Sequence, residues 1–458
     1  MSDIVEELRR NNEAENYDAN VKLIDELDSE QVKHSLAFYN EAAVSYWRCS
    51  EDRKADGAKL YQQMMARIIN DEDLYEEISN SEGFELTKYN MRHYQDHLSA
   101  RSDEGMTIGI VCYYDDRQNG WDPRSIKEGI MGSEEAVIYA SQALAKMGHQ
   151  VTVYAMPPNH SPWSLPLANP KFVRETEIKT LVDKLDMIVL WRRTDFSVYK
   201  NYGKTVMFWP HDIATQKFNV SGLSGCFFLS EYHRNDYIRV VPEIEKIPYV
   251  ICGNGIQLEQ FPKPKSYTNP YSCIYASNYS RGLNVLLHFW PEIRNKYPKA
   301  TLDIYYGRQT WGTISEQNLN NMIQKIETLK VYGVTEHGKV GHQKLADAMQ
   351  KTSILAYPCT TQSETFCITA VKAQAAGMIP VTTRIGALNE TVHSDAPCVK
   401  ILTNENIGEY RDLLMSVMSR VESEESKASR DQYIQYASKY TWDNCVSNWI
   451  LLNDIVSA

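Results

Sequence analysis

The sequence predicts an α/β protein: two Rossmann-like, doubly wound domains facing a cleft, preceded by an all-helical N-terminal region. Three observations carry this expectation. Through the first hundred residues, apolar positions recur at helical spacing and no strand-like run occurs. From 106 onward, continuous apolar stretches of strand length alternate with amphipathic helical patterns, as in parallel strands covered on both faces. The alternation runs twice, and a stretch rich in Pro and Gly at 253–270 separates the two series.

The N-terminal region contains "NYDANVKLIDEL" and "ADGAKLYQQMMARI", two similar patterns about forty residues apart, with "SLAFYNEAAVSYWRCS" between them. These read as helical hairpins of the tetratricopeptide kind. Whether they form a cap on the next domain or a surface for a protein partner stays open. "MTIGIVCYY" (106–114) is then a strand. A Gly-containing loop, a helix over 133–147, a Gly-His stop and a strand at 150–155 complete a β-loop-α-β unit. Further strands are expected at 186–192, 205–210, 225–230 and 247–252. The second series runs through "YSCIYAS", a helix "GLNVLLHFWPEIRNKY", "ATLDIYYG", a helix at 315–329 and "HGKVGHQKLADAMQKTSILAYP". It ends in "SETFCITAVKAQAAGMIPV", "APCVKIL" and helices near 404–421, 426–439 and 443–456. The expected domains are therefore 1–100, 105–255 and 256–440. A C-terminal helix at 441–458 follows, and its packing back on the first lobe is left open.

Bulk properties narrow the function. A chain of 458 residues is too long for one core. Its net charge of −11, with no dominant basic patch, argues against a nucleic-acid surface. Nine cysteines stand singly with no C-x-x-C pair, which speaks against zinc and for a reducing, cytoplasmic setting. The acidic start "MSDIVEELRR" is unlike a signal peptide, and no apolar run reaches the roughly 20 residues of a membrane helix. A peripheral membrane contact is left open.

In open parallel sheets, ligands sit at the carboxyl ends of strands, where helix N-termini favour phosphate. Strand "ILAYP" ends at 358 and a helix opens near 363–366, which places Glu364 at such a point. Helix capping is the plain alternative for this carboxylate. Four motifs in order then resemble the retaining glycosyltransferases of family 4, the group 1 enzymes of the two-lobed GT-B fold. Within "SETFCITAVKAQAAGMIPVTTRIGALNETV", residues Glu364, Phe366, Ala373, Ala376, Gly377, Pro380 and Val381 match the family signature. "VICGNGIQLEQFPKP" is similar to its inter-lobe linker. "SRGLNVLLHFWPEIRNKYPKATLDIYYG" and "GSEEAVIYASQALAKMGHQVTVYA" are similar to its Lys-Gly and Gly-Gly-Ala-Glu units. The resemblance covers roughly 106–402.

The resemblance implies a metal-independent hexosyl or other glycosyl transfer from a nucleotide-diphosphate sugar to an acceptor hydroxyl. That sugar nucleotide, in UDP or GDP form, is a co-substrate, and no cofactor is implied. Glu364 would contact the donor sugar and Arg281 the diphosphate, its forked donors suiting that task. Thr365, Phe366 and Cys367 fall in the stretch whose backbone faces the sugar and diphosphate. Gly132 matches the first-lobe loop glycine, and His211 in "FWPHDI" lies where the family places a cleft-facing histidine; a satisfied loop histidine is its plain alternative. Val340 and Gly341, in "HGKVGH" (337–342), belong to the loop expected to set base choice, and Glu390 stands at the family's Glu position in "RIGALNE".

Two departures stand out. Lys372 replaces the second signature Glu, and Ser277 with Asn278 replaces an expected Arg. Lys372 is expected to pair with Glu364 or another acid, to supply charge to the diphosphate, or to snorkel to solvent. Asp115 and Asp116 form a solvated loop or a weaker cation site. Arg192 and Arg193 meet an anionic acceptor or serve as surface charge. Two other functions compete: a nucleotide-sugar epimerase of the same architecture, and a non-catalytic scaffold using its N-terminal helices.

Overall fold

The protein is described by a computed structural model. It describes residues 2–27, 35–81, 83–94, 105–113, 120–262, 269–308, 314–403 and 405–458. The chain divides into two compact units, 1–122 with 144–186, and 123–143 with 187–458.

The first unit opens with α1 (Ser2–Glu13), α2 (Tyr17–Asp25), α3 (Leu36–Cys49), α4 (Lys54–Asn70), α5 (Glu72–Ser79) and α6 (Phe84–Tyr94). Helix α3 is central, packing on α1, α2, α4 and α6. Its N-terminus is capped by the Ser35 hydroxyl, which accepts from the Phe38 amide. The helical core holds Leu8, Phe38, Tyr61, Met64 and Tyr94, and it continues into Leu165, Leu167 and Ala168. These helices therefore close over the 162–168 segment of the same unit. Strands β1 (Thr107–Cys112), β2 (Gln150–Ala155) and β3 (Lys171–Arg174) also belong here. The sequence pattern misses β3: four residues with a charge at each end carry no apolar run.

The second unit begins with α7 (Ser125–Glu128) and α8 (Gly132–Lys146, to Ala143 in this unit). Strand β4 (Leu185–Trp191) leads into α9 (Phe196–Tyr199), β5 (Gly203–Trp209), β6 (Gly225–Phe228), α10 (Glu231–Val240) and β7 (Tyr249–Ile251). The first sheet has the order β3-β2-β1-β4-β5-β6-β7. The second sheet starts at β8 (Asn269–Ala276), followed by α11 (Leu283–Lys296), β9 (Thr301–Tyr305), α12 (Glu316–Leu329) and β10 (Val334–Gly338). Then come α13 (His342–Lys351), β11 (Thr352–Tyr357), α14 (Ile368–Ala375), β12 (Ile379–Thr383), α15 (Leu388–Thr391) and β13 (Cys398–Val399). Its order is β10-β9-β8-β11-β12-β13, with parallel pairing throughout the registers shown. Both sheets are doubly wound, as expected: the strand order reverses direction at β1 in the first sheet and at β8 in the second.

Helices α16 (Ile407–Arg420), α17 (Glu424–Ala437) and α18 (Trp442–Ser457) end the chain. Helix α18 packs on β5, β6 and β7. Its Trp449 stacks flat on Phe227 at 4.7 Å and meets Trp209 edge-on at 4.5 Å. No described helix is long and apolar enough to cross a membrane. All nine cysteines are free.

Candidate active site

Strand β11 is buried along its length, and the chain leaves it at Pro358 to reach α14 ten residues later. Glu364 lies in that connection with its side chain almost wholly buried. One carboxylate oxygen accepts from the Tyr357 hydroxyl at 2.6 Å and from Arg281 Nη1 at 2.5 Å. The carboxylate is thus part of an ion pair; the helix-capping alternative does not hold. Glu364 also anchors the loop through its carbonyl, which accepts from the Ala387 amide at 2.9 Å. The Glu364 charge, followed by opposing burial, raises the Arg281 guanidinium well above its ordinary range, so it stays cationic. Burial first, and then the Glu364 charge, pushes the Tyr357 hydroxyl well up, so it remains a donor.

Arg281 comes from the β8–α11 connection, where Gly282 takes φ +100°. A Cβ on Gly282 would lie 1.9 Å from the Pro358 carbonyl oxygen. The close approach of these two connections is what brings Arg281 to Glu364. Gly282→Ala is therefore expected to cost about 3 kcal/mol, combining left-handed strain with a backbone clash. Urea denaturation checks this, and unchanged stability would contradict the approach. Ser277 Oγ sits 3.3 Å from the Tyr357 hydroxyl, while Asn278 Oδ1 accepts from the Ser280 amide at 2.9 Å and so shapes the same turn.

The connection before α14 is tied down residue by residue. Thr365 donates to the His211 carbonyl at 3.1 Å, and its own carbonyl accepts from Ser230 at 2.8 Å. The Phe366 ring is buried against Gly253 and meets Tyr440 edge-on at 5.5 Å. Cys367, the residue before α14, takes φ +62° without a glycine's freedom. His211 is buried and packs edge-on against Trp191 and Trp209. Its Nε2 has no hydrogen-bond partner among the described residues. Burial, reinforced by the nearby Arg192 charge, holds its pKa well below 6.5, so the ring is neutral at pH 7. The satisfied-histidine alternative fails at that nitrogen.

Lys372 neither snorkels nor pairs with Glu364. It is 5% exposed, and its ammonium donates to Glu135 Oε1 at 2.5 Å. His342 Nδ1 lies 3.4 Å from the same oxygen, and its Nε2 donates to the Ile130 carbonyl at 3.1 Å. Burial would raise the Glu135 carboxyl, but the Lys372 charge and hydrogen bond oppose it and hold the pKa at about 2. Of the alternatives, pairing with another acid is the one found, and the charge that would have served a diphosphate is committed to a carboxylate on α8. Around this triad, a Cβ on Gly341 would lie 2.0 Å from the Lys127 carbonyl oxygen, so the 127–132 and 338–342 segments touch through bare backbone. Val340 and Gly132 belong to these segments, and Gly132 faces Ile368 of α14.

The remaining assignments fall elsewhere. Glu390 accepts from the amides of Glu231 and Tyr232, both at 2.8 Å, and so caps α10. Arg192 is held by Asp212 at 2.9 Å and Arg193 by Asp195 at 2.8 Å. Asp115 and Asp116 lie outside the described residues. Sequence reasoning missed Tyr357, Glu135 and His342. Tyr357 had a positional signal as the last residue of a buried strand, and Glu135 as the fourth residue of the stretch similar to the Gly-Gly-Ala-Glu unit.

Two doubly wound parallel sheets, with a cation and a carboxylate joined at the carboxyl end of the second, define a GT-B glycosyltransferase fold. Residues 271–417 match the family described as glycosyl transferases group 1, so a domain of that kind occupies this stretch. The structure is similar to a glycosyltransferase from Rickettsia africae ESF-5, with TM-score 0.59, 12% identity, and coverage of 77% of this chain and 99% of that one. It is also similar to sucrose-phosphate synthase from Thermosynechococcus elongatus (TM-score 0.56, 13% identity, 76% and 99% coverage). A third similar structure is Anabaena HepE in complex with UDP-glucose (TM-score 0.54, 13% identity, 77% and 98% coverage). No curated protein matches the sequence.

Proposed function

We propose that this glycosyltransferase moves a sugar from a nucleotide-diphosphate sugar to an acceptor hydroxyl, with retention of configuration and without a metal. The observation that carries the proposal is the Arg281–Glu364–Tyr357 cluster beside the N-terminus of α14. As the bond between sugar and diphosphate breaks, negative charge grows on the phosphate oxygens. Arg281 and the first amides of α14 stabilise that charge more in the transition state than in the ground state. Glu364, fixed by two donors, keeps lone pairs to accept sugar hydroxyls. His211, neutral and with a free nitrogen, is suited to hydrogen-bond a hydroxyl without adding charge. The donor is assigned to the 256–440 lobe and the acceptor to the 105–255 lobe. Free thiols support a cytoplasmic setting, and a protein partner is proposed for the repeat-like N-terminal helices.

Calorimetry with UDP and GDP, followed by transfer assays on a panel of nucleotide sugars, tests the reading. Binding of at least one nucleotide and transfer unaffected by EDTA are expected. NMR of the product anomeric proton should show the donor's configuration retained. Absence of all nucleotide binding would leave a scaffold, and interconversion of the sugar without acceptor would indicate an epimerase.

A further inference from the structure

A cavity of about 530 Å³ opens where the carboxyl ends of β9 and β10 lie side by side. Its walls include Arg308, Glu336, His337 and Lys339. Gly307 and Gly338 also line it, and a Cβ on Gly338 would meet nothing within 4 Å. The open space beside Gly338 leaves room for a flat ligand.

Glu336 is the fixed polar group of this cavity. Its side chain is 10% exposed, and Oε1 accepts from the Tyr279 hydroxyl at 2.6 Å. Tyr279 stands two residues before Arg281, so the cavity adjoins the turn proposed to hold the diphosphate. The carboxylate otherwise faces the fork of Arg308, whose Nε lies 3.4 Å from Oε1 and Nη2 3.1 Å from Oε2. Arg308 is 56% exposed. An ion pair so open to water contributes little, so a ligand can displace it at small cost.

The fork seen at Arg308 is informative about that ligand. A guanidinium presents two parallel N–H donors to a carboxylate. The N1–H and N2–H edge of guanine contains the same guanidine unit with the same spacing. Uracil offers a single N–H flanked by two carbonyls, which the carboxylate would repel. Adenine and cytosine pair one donor edge with a ring acceptor.

We propose that this cavity reads guanine, with Glu336 accepting N1–H and N2–H in place of Arg308, so that the donor is a GDP-sugar. The proposal rests on the nucleotide-sugar reading above. Calorimetry with GDP, UDP and inosine diphosphate, which lacks the 2-amino group, tests it on the unaltered protein. GDP should bind about tenfold to a hundredfold more tightly than UDP, the range for one bidentate base contact. Inosine diphosphate should fall between them. In Glu336→Gln, GDP should weaken at least about tenfold while UDP stays within about twofold; Arg308→Ala should keep the preference. Thermal melting of both variants monitors folding. UDP binding as tight as GDP, or inosine diphosphate equal to GDP, overturns the guanine assignment and leaves the function standing. Failure of every nucleotide to bind overturns both.

Discussion

Arg281→Ala is expected to lower the rate of sugar transfer by about 10²- to 10³-fold, the usual cost of removing one donor aimed at developing charge. Its cation reaches Glu364 at 2.5 Å, at the point where the β8 and β11 connections converge. Among the described residues, the substitution leaves the buried Glu364 carboxylate with the Tyr357 hydroxyl alone, so some stability should be lost as well. Arg281 is 28% exposed, which keeps that loss below the value for a fully buried pair. A second variant separates the effects. Arg281→Ala combined with Glu364→Ala should recover much of the melting temperature while transfer stays lost. Arg281→Lys should restore part of the rate, because it returns the charge without the fork. Steady-state kinetics decide the matter: a kcat/KM within about twofold of the unaltered enzyme would remove Arg281 from the chemistry.

Lys372→Met should destabilise the protein by about 3–5 kcal/mol at pH 7, the cost of leaving a buried carboxylate uncompensated. Glu135 is 3% exposed, and Lys372 is the cation paired with it. Adding Glu135→Leu should return most of the loss, since a hydrophobic pair of similar volume removes the desolvation penalty. The pH dependence has a definite sign. In the unaltered protein the Glu135 pKa is depressed from 4.5 to about 2. Its contribution is therefore complete above the unfolded value and is lost as pH falls through that window. In Lys372→Met burial dominates instead and the carboxyl rises. Protonation then relieves the strain, and the penalty should be smaller at pH 4 than at pH 7. Urea denaturation at both values provides the check; a loss under about 1 kcal/mol at pH 7 would mean the pair is not buried as described.

The doubly wound class was legible because strands such as those over 186–192 and 352–357 carry continuous apolar runs, "MIVLW" and "ILAY", which suit a sheet covered on both faces. Boundaries blurred where that reason weakens. Strand β3 is short and charged at its ends, and β10 has the mostly polar sequence "VTEHG" at the sheet edge. The placement of Glu364 was legible too, since a strand, a short connection and a helix put it at the carboxyl end of the sheet.

By itself, then, the order of residues determined the two sheets, the helical N-terminal region and the loops that meet at the second sheet's carboxyl end. Local periodicity and strand–helix alternation are properties of neighbours along the chain, and neighbours are visible in a sequence. Tertiary structure alone decided the pairings. Arg281 finds Glu364 across 83 positions and Lys372 finds Glu135 across 237. No spacing rule encodes such partners, because they are chosen by which buried charge would otherwise go uncompensated once the elements have packed.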